Sequence, residues 1–420
     1  MAHLEYKRPD EKAALIKMYS LEETAIKTPV LTKVKEGHYA VIDYGLGNVG
    51  IVITNEGVVV IDSNTTNEAA SEIIKEIRKI TSQPIKYLII THGHGDHVGG
   101  NQAFKDAGAE IIAHENVNIR LERYKTFAGY HARINGIQAG GGGFGQLGGA
   151  SKWASYVRAD IEYDKEYIFE LGGKTFRLIH GKGETDDATI VYIPEDRVIY
   201  AGDFIISVFP NIGNPNKVLR YEKEWVDALD RILSLNPEAV VPGHGTVLFG
   251  DEIISAITAP RDVLDFLYRE SVKYINEGRD LDYILEHARL PQKLAQNPYI
   301  KPIYGNREFT LRGIWRRYTG WYDQNPTNLY PSPKDEVIKA VFSLIQDEEL
   351  VLNKAKALKA ENQIQLALHI LDLLPEPGKE AMLLKAEILE ELADRSTNLF
   401  YVNFYLNGAA ILRQNVGGVV

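Results

Sequence analysis

The sequence predicts a layered α/β domain followed by an all-α domain, and three observations support this. Over roughly the first 250 residues, short runs rich in β-branched residues alternate with amphipathic stretches, which is the pattern of sheets covered by helices. From about residue 331 onward, the apolar residues recur only at helical spacing. A chain of 420 residues is long enough for two or three domains of about 100–200 residues each.

The predicted strands of the first domain are short and β-branched, and most helices between them show one apolar face. The predicted strands are residues 40–43, 49–54, 58–62, 87–90, 110–113, 174–180, 188–193, 198–200 and 239–241. The predicted helices are residues 67–80, 102–107, 222–235 and 251–277, the last interrupted near Pro260.

A glycine-rich segment, residues 136–149, has no side-chain pattern that favours a helix or a strand. It could be a flexible surface loop or a lid over a site, and the sequence favours neither.

The second predicted domain contains helices at residues 350–360, 363–374 and 380–393, with a break at residues 375–378. Their spacing is typical of paired antiparallel helices. The aromatic stretch 399–406 is more apolar than a solvated helix, so we expect its own chain or a partner to cover it.

Composition excludes several classes of function. Without cysteine, the chain cannot form disulfides, thiolate zinc sites or a cysteine nucleophile. The net charge of -10 argues against nucleic acid as a partner. We also expect no membrane span, because no apolar run reaches about 18 residues, and a cytoplasmic location, because the first ten residues do not resemble a secretory signal.

The strongest chemical signal is the run His92-Gly-His94-Gly-Asp96-His97 directly after a predicted buried strand. Imidazole and carboxylate groups are ligands that zinc and similar divalent ions accept when thiolate is not available. A histidine-rich surface loop is the alternative, but this spacing after a strand favours a metal site.

Residues 91–100 resemble the signature of the metallo-β-lactamase superfamily, Thr-His-x-His-x-Asp-His-x-Gly-Gly. Segments 58–62, 199–203 and 241–245 are similar to other motifs of that family, in the same order. The resemblance implies an αββα sandwich with a dinuclear metal site at one edge, so the fold class is α/β followed by a helical-repeat-like dimerisation domain.

One family motif differs here, because Glu184 stands where most members have histidine. Alkyl sulfatases of this superfamily share that substitution, and residues 304–330 resemble the start of their dimerisation domain. The resemblance implies a homodimer with domains at 1–260 (catalytic), 261–331 (helical connector and start of the dimerisation domain) and 332–420 (helical dimerisation domain). No segment resembling the sterol-carrier-like domain of longer alkyl sulfatases is expected.

The resemblance also implies roles for individual residues. It assigns two divalent ions, with zinc expected first and manganese or iron as alternatives. One ion is assigned to His92, His94 and Glu184, the other to Asp96, His97 and His244, and Asp203 to both. Asp96 is also the expected acceptor of the nucleophile's proton, and Asp62 is expected to hydrogen-bond the ligand loops.

The expected activity is hydrolysis of a small anionic ester, an alkyl sulfate, by a metal-activated water. Arg220, Phe204 and His180 are the expected substrate contacts, although Arg220 could instead be a solvated charge. Alkyl sulfatases usually have Glu-Asn where this chain has Asp203-Phe204, which leaves a lactone, thioester or phosphoester as alternative substrates. A third hypothesis makes the helices an interaction module beside an inactive domain.

Overall fold

The structure, a computed structural model, describes residues 28–138 and 156–417. These residues divide into two compact units. The first, called the sheet unit, comprises residues 28–132 and 156–319, and the second, called the helical unit, comprises residues 133–138 and 320–417. The predicted boundaries at residues 260 and 331 stay a prediction. Most of the glycine-rich segment and the amino-terminal residues lie outside the described residues.

The strands of the sheet unit follow the β-branched runs of the sequence. They are β1 Leu31–Lys35, β2 His38–Val41, β3 Val49–Ile53, β4 Val58–Ile61, β5 Ile85–Ile89, β6 Glu110–His114, β7 Ile161–Tyr163, β8 Glu166–Leu171, β9 Lys174–Gly181, β10 Ala188–Ile193, β11 Val198–Gly202, β12 Ala239–Pro242 and β13 Leu248–Phe249.

The α-helices in the described part of the chain connect these strands and then continue alone. They are α1 Asn67–Ile80, α2 Gly95–Val98, α3 Asn101–Asp106, α4 Glu115–Thr126, α5 Ala128–Gln138, α6 Glu222–Ser234, α7 Asp251–Asn276, α8 Leu281–His287, α9 Gln292–Ala295, α10 Arg307–Tyr318, α11 Lys334–Ile345, α12 Glu348–Ala360, α13 Ile364–Leu371, α14 Lys379–Arg395 and α15 Leu399–Asn415.

The strands form two sheets. One has seven strands in the order β1-β2-β3-β4-β5-β6-β7, and the other has six in the order β13-β12-β11-β10-β9-β8. Most neighbours are antiparallel, but β4–β5, β5–β6, β6–β7 and β11–β12 are parallel. Parallel neighbours end at the same edge of a sheet, and the candidate site lies at such strand ends.

The two sheets pack face to face around an apolar layer to which both contribute. Strand alternation explains its composition: Val59 and Ile61 of β4 belong to this inner layer with Val191 and Ile193 of β10. Their neighbours Val58 and Val60 face outward into a second cluster. The order of layers is therefore helix, sheet, sheet, helix, which confirms the predicted αββα sandwich.

Helices cover the outer face of each sheet. Helix α1 begins where the Thr66 side chain accepts a hydrogen bond from the N–H of Ala69, which satisfies a free donor of the first turn. It buries Ile73 and Ile77 against the seven-stranded sheet. Helices α6 and α7 pack against the other sheet, where Trp225 is fully buried.

Helix α7 runs from Asp251 to Asn276 with Pro260 inside it, so the predicted interruption is wrong. Both halves of the helix have buried partners, because Ile257 and Leu264 belong to the cluster under the sheet, and Val263 and Leu267 to a cluster shared with α8 and α10. This packing compensates for the hydrogen bond that proline cannot donate.

The helical unit confirms the all-helical prediction. Helices α12, α13 and α14 enclose a cluster that includes Ala355, Ala367 and Ile388. The aromatic stretch 399–406 is the first half of α15, where Phe400 and Val402 are buried. None of the described helices is long and apolar enough to cross a membrane.

The packing of α1 gives a stability prediction. Ile73 is fully buried, whereas Ile80 on the same helix is 47% exposed. Ile73→Ala should lower the free energy of unfolding by about 2–5 kcal/mol, because it leaves a cavity under the sheet. Ile80→Ala, the matched control, should cost about 1 kcal/mol or less. Urea unfolding followed by tryptophan fluorescence measures both, and equal effects would contradict this packing.

Candidate metal centre

The sequence-predicted ligands lie just beyond the carboxyl ends of three strands. His92 follows β5, Asp203 follows β11 directly, and His244 follows β12. Because β11 and β12 are parallel neighbours, the last two residues leave the sheet at the same edge. The short helix α2 places Asp96 and His97 one turn beyond His92.

One group of ligand atoms surrounds a common point. The Nε2 atoms of His97 and His244 each lie 3.3 Å from Oδ1 of Asp203. They lie 3.6 Å and 3.4 Å from Oδ2 of Asp96. Four ligands bound tetrahedrally at about 2.0–2.1 Å are about 3.3 Å apart, so these separations suit a shared ion.

A second group adjoins the first through Asp203. His92 Nε2 lies 3.3 Å from Oδ2 of Asp203 and 3.0 Å from Nδ1 of His94. A ligand atom of Glu184 lies within 4.8 Å of those of His94 and Asp203. The two groups together contain the seven residues predicted as metal ligands, and their binding of metal stays a prediction.

Buried atoms without partners support a metal in this cluster. His97 Nε2, Asp203 Oδ1 and Glu184 Oε2 are enclosed, and none has a hydrogen-bond partner among the described residues. Buried polar atoms are rarely left unsatisfied. The donor set, imidazole nitrogen with carboxylate oxygen, is one that divalent ions accept. These residues therefore fit divalent metal ions.

The charge balance also favours a cation. Burial lowers the pKa of a histidine, yet Asp203 and Asp96 raise the pKa of His244 to about 10 and hold that of His97 well above its ordinary value. Burial opposes ionisation of Asp203, but its imidazole neighbours hold its pKa well below the ordinary value. The carboxylates thus stabilise positive charge at this point, as protons or as metal.

Asp62, directly after β4, contacts one candidate ligand, His97, and Thr91, the residue before another. Its carboxylate accepts hydrogen bonds from the backbone N–H and the hydroxyl of Thr91, both at 2.7 Å. It also lies 2.8 Å from Nδ1 of His97. A proton on that nitrogen leaves Nε2 as the free donor atom for a metal. The predicted anchoring role of Asp62 agrees with these contacts.

The loop after β2 orients His244. Nδ1 of His244 lies 2.9 Å from the carbonyl oxygen of Leu46, which directs Nε2 into the cluster. The side-chain amide of Asn48 donates to the carbonyls of Pro242 and Gly245, each at 2.9 Å. Asn48 therefore holds the loop that carries His244 on both sides of that residue.

Arg220 pairs directly with a metal-ligand candidate. Its Nη1 donates to the carboxylate of Glu184 and to the carbonyl of Asn211, 2.9 Å away. Arg220 is 5% exposed, so it is not the solvated charge that the sequence left open. Its charge offsets that of Glu184 in a buried setting where an unpaired carboxylate would be costly.

A second buried ion pair, which the sequence did not predict, supports the ligand loops. Asp187 is fully buried and accepts hydrogen bonds from Nε of Arg120 at 2.8 Å and from the N–H of Gly93 at 3.1 Å. Asp187 follows Glu184 closely and Gly93 lies between two ligands, but Arg120 is on α4, which was not predicted. An amphipathic pattern across 115–126, with Val117, Leu121 and Tyr124 buried, was the available signal.

Phe204, an expected substrate contact, lies in the core of the sheet unit. Its ring is 1% exposed and belongs to the core cluster with Trp225. A Cβ on Gly183 would lie 2.9 Å from the ring, so the glycine allows close contact. The chain needs a large apolar group here for packing, which is the physical reason that the predicted substrate role does not suit this position.

His180 lies at the end of β9, beside a supporting loop. Its Nε2 is 2.9 Å from the carbonyl of Asp186, and its ring stacks on His114 with centroids 3.7 Å apart. Its predicted substrate contact stays a prediction.

The cluster is more open on one side. The side chains of His94 and Asp96 are 21% and 16% exposed, compared with 6% for Asp203 and 3% for Glu184. A small ligand would therefore reach the metal groups past His94 and Asp96. Asp96, the predicted proton acceptor, is the most accessible of the three carboxylates.

Two family models match this chain. Residues 42–244 match the family model of the metallo-beta-lactamase superfamily, and residues 281–415 match that of alkyl sulfatase dimerisation. Together the two matches span the metal cluster and most of the helices after α7.

Individual relatives agree with these matches. A linear primary-alkylsulfatase from a Pseudomonas species is 25% identical over 87% of this chain and 74% of its own length. An alkyl/aryl-sulfatase of Saccharomyces cerevisiae is 24% identical, over 92% and 64%. The structure of a stereoselective inverting sec-alkylsulfatase from Pseudomonas sp. superposes with a TM-score of 0.82 at 22% identity, over 98% of this chain and 69% of that one. The chain thus spans from under two thirds to about three quarters of these relatives' lengths.

The Asp62 contacts predict an effect on metal affinity. Asp62→Asn should weaken metal binding about 10- to 100-fold, because the ring of His97 loses the carboxylate that orients it. Asp43→Asn, in an exposed position after β2, is the control and should bind like the parent. Titration against a chromophoric chelator measures both constants. Unchanged affinity in Asp62→Asn would show that Asp62 does not orient His97.

Proposed function

We propose that this chain, which belongs to the alkyl sulfatase-like members of the metallo-β-lactamase superfamily, hydrolyses sulfate esters of aliphatic alcohols at a dinuclear metal centre. The observation that carries the proposal is Glu184, a carboxylate in a ligand position, paired with the buried Arg220. The names of the two curated relatives, an alkylsulfatase and an alkyl/aryl-sulfatase, support the same substrate class.

Two groups of residues would hold the two ions. We propose that His92, His94 and Glu184 bind one, that Asp96, His97 and His244 bind the other, and that Asp203 contacts both. Zinc suits these ligands, and the share of carboxylate also suits manganese or iron. Bound divalent ions would lower the pKa of a water molecule and attract the anionic ester.

The protein's own groups prepare the site for an anionic ester. Asp96, on the more open side of the cluster, would accept the proton of the attacking water. Arg220 offsets the negative charge of Glu184, which lowers the electrostatic repulsion of a sulfate group. Arg220 is therefore proposed as a substrate contact as well, and His180 remains a proposed contact on the neighbouring loop.

A second candidate keeps the metal centre and changes the ester. Phe204, where the resemblance expects a polar residue, belongs to the core and offers no polar contact to a sulfate group. A lactone, thioester or phosphoester is therefore the alternative substrate class.

The proposed oligomer is a homodimer. The match to the alkyl sulfatase dimerisation model covers residues 281–415. This range includes every described α-helix of the helical unit that follows α5 in the chain. The cytoplasmic location predicted from the sequence remains a prediction.

The substrate proposal predicts sulfate release. The metal-loaded protein should release inorganic sulfate from dodecyl sulfate or a secondary alkyl sulfate, measured by ion chromatography. His92→Ala and Glu184→Gln should each lower kcat/KM by about 100-fold or more, because each removes a ligand. His369→Ala, in an exposed position of α13, should leave it unchanged. Turnover of a lactone, thioester or phosphoester without sulfate release would favour the alternative.

The dimer proposal predicts a mass of twice 47.1 kDa in multi-angle light scattering at micromolar concentration. An interface between permanent partners usually buries more than about 1,200 Å², enough to persist under these conditions. A monomeric mass across the concentration range would contradict it.

A further inference from the structure

Residues 220 and 221, called here the 220–221 segment, form hydrogen bonds with the loop that carries Glu184. The side chain of Arg220 donates to the Glu184 carboxylate. The backbone N–H of Tyr221 donates to the carbonyl of Gly183 at 3.1 Å, and the ammonium of Lys182 lies 5.4 Å from the centre of the Tyr221 ring. A shift of the 220–221 segment would therefore move Glu184.

Arg317, on α10, holds the same segment from the other side. Its Nη1 donates to the carbonyl oxygen of Arg220 at 3.0 Å. Its guanidinium lies 4.8 Å from the centre of the Tyr221 ring. The side chain is itself fixed by Glu222, at 3.3 Å, and by Glu224, at 2.6 Å.

Close backbone contacts keep α10 next to this segment. A Cβ on Gly313 would lie 2.9 Å from the carbonyl oxygen of Ile212, and one on Gly305 would lie 2.1 Å from that of Pro210. The carbonyl of Ile212 in turn accepts a hydrogen bond from the N–H of Arg220 at 3.3 Å. Both glycines leave room for α10 and its preceding turn to touch the loop that leads to Arg220.

We propose that Arg317 is a positioning residue for the candidate metal centre. It fixes the backbone of Arg220, and through the Arg220–Glu184 pair it fixes the position of one metal ligand. Arg317 lies within the region matched by the dimerisation model, yet it belongs to the sheet unit. Helix α10, inside that match, therefore supports the candidate metal centre.

Arginine is needed because its flat guanidinium contacts several groups at once. It reaches the Arg220 carbonyl, two carboxylates and the face of an aromatic ring. Lysine could keep the charge beside the buried Glu222, but it has one compact ammonium group in place of the planar fork. Arg317→Lys should thus fold, but it should position Arg220 less well than the parent does.

The test compares Arg317→Lys and Arg317→Met with Arg316→Ala. Arg316 is the adjacent, exposed arginine of the same helix and serves as the matched control. In the full-length protein loaded with Co²⁺, both Arg317 variants should alter the visible absorption spectrum of the metal and weaken Co²⁺ binding about 10-fold. Arg316→Ala should match the parent. Parental spectra and affinities in folded Arg317 variants would overturn the proposal.

A double-mutant comparison separates positioning from general stabilisation. If Arg317 acts through Arg220, the variant Arg220→Met with Arg317→Met should bind Co²⁺ about as weakly as Arg220→Met alone. If the two changes weaken Co²⁺ binding independently, so that their fold-changes multiply, the proposal is contradicted. Thermal unfolding of each variant shows whether a loss follows from instability.

The kinetic part of this proposal rests on the proposed function, whereas the spectral and binding parts do not. With alkyl sulfate as substrate, Arg317→Lys should lower kcat/KM about 10-fold, mainly through kcat. If the parent protein cleaves no alkyl sulfate, the proposed function fails, and the Co²⁺ measurements still decide whether Arg317 positions the centre.

Discussion

The candidate metal centre contains three carboxylates with little exposure, those of Asp96, Glu184 and Asp203. Asp203 connects the other two, because it shares His97 and His244 with Asp96 and has a ligand atom within 4.8 Å of one of Glu184. The surrounding structure depends on this concentration of charge. Such a group is costly to bury unless positive charge accompanies it. The imidazoles of His97 and His244 supply part of the balance, because the neighbouring carboxylates raise the pKa of both. Donor atoms without hydrogen-bond partners among the described residues, including His97 Nε2 and Asp203 Oδ1, support a divalent cation as the remaining positive charge.

The supports around the cluster address the same constraint. The Asp62 carboxylate contacts Nδ1 of His97, and the Leu46 carbonyl contacts Nδ1 of His244. Both rings therefore direct Nε2 into the cluster. Arg220 offsets Glu184, and Arg120 offsets Asp187 beneath Gly93. These supports come from separate parts of the chain, and the face-to-face sheets bring them together. The fold thus holds the carboxylates of the candidate metal centre together with the residues that offset their charge.

The sequence indicated the candidate ligands more clearly than the residues that support them. The run from His92 to His97 is local, and its spacing alone indicated a metal site. The helices 67–80 and 222–235 were predicted almost to the residue, because one apolar face was regular in each. Arg120 and Arg317 were not identified, since each acts on a residue that is distant in the sequence. The burial of Phe204 in the core could not be read from the sequence, because a lone aromatic residue after a ligand has no periodic pattern that separates a substrate contact from a core residue.

We propose that the seven residues hold two ions, with Asp203 in contact with both. Anomalous diffraction from crystals grown with zinc, recorded on both sides of the zinc absorption edge, would locate the ions. A dinuclear centre predicts two zinc peaks, one beside His92, His94 and Glu184 and the other beside Asp96, His97 and His244, with Asp203 in contact with both. A single peak, or zinc bound away from Glu184, would contradict it.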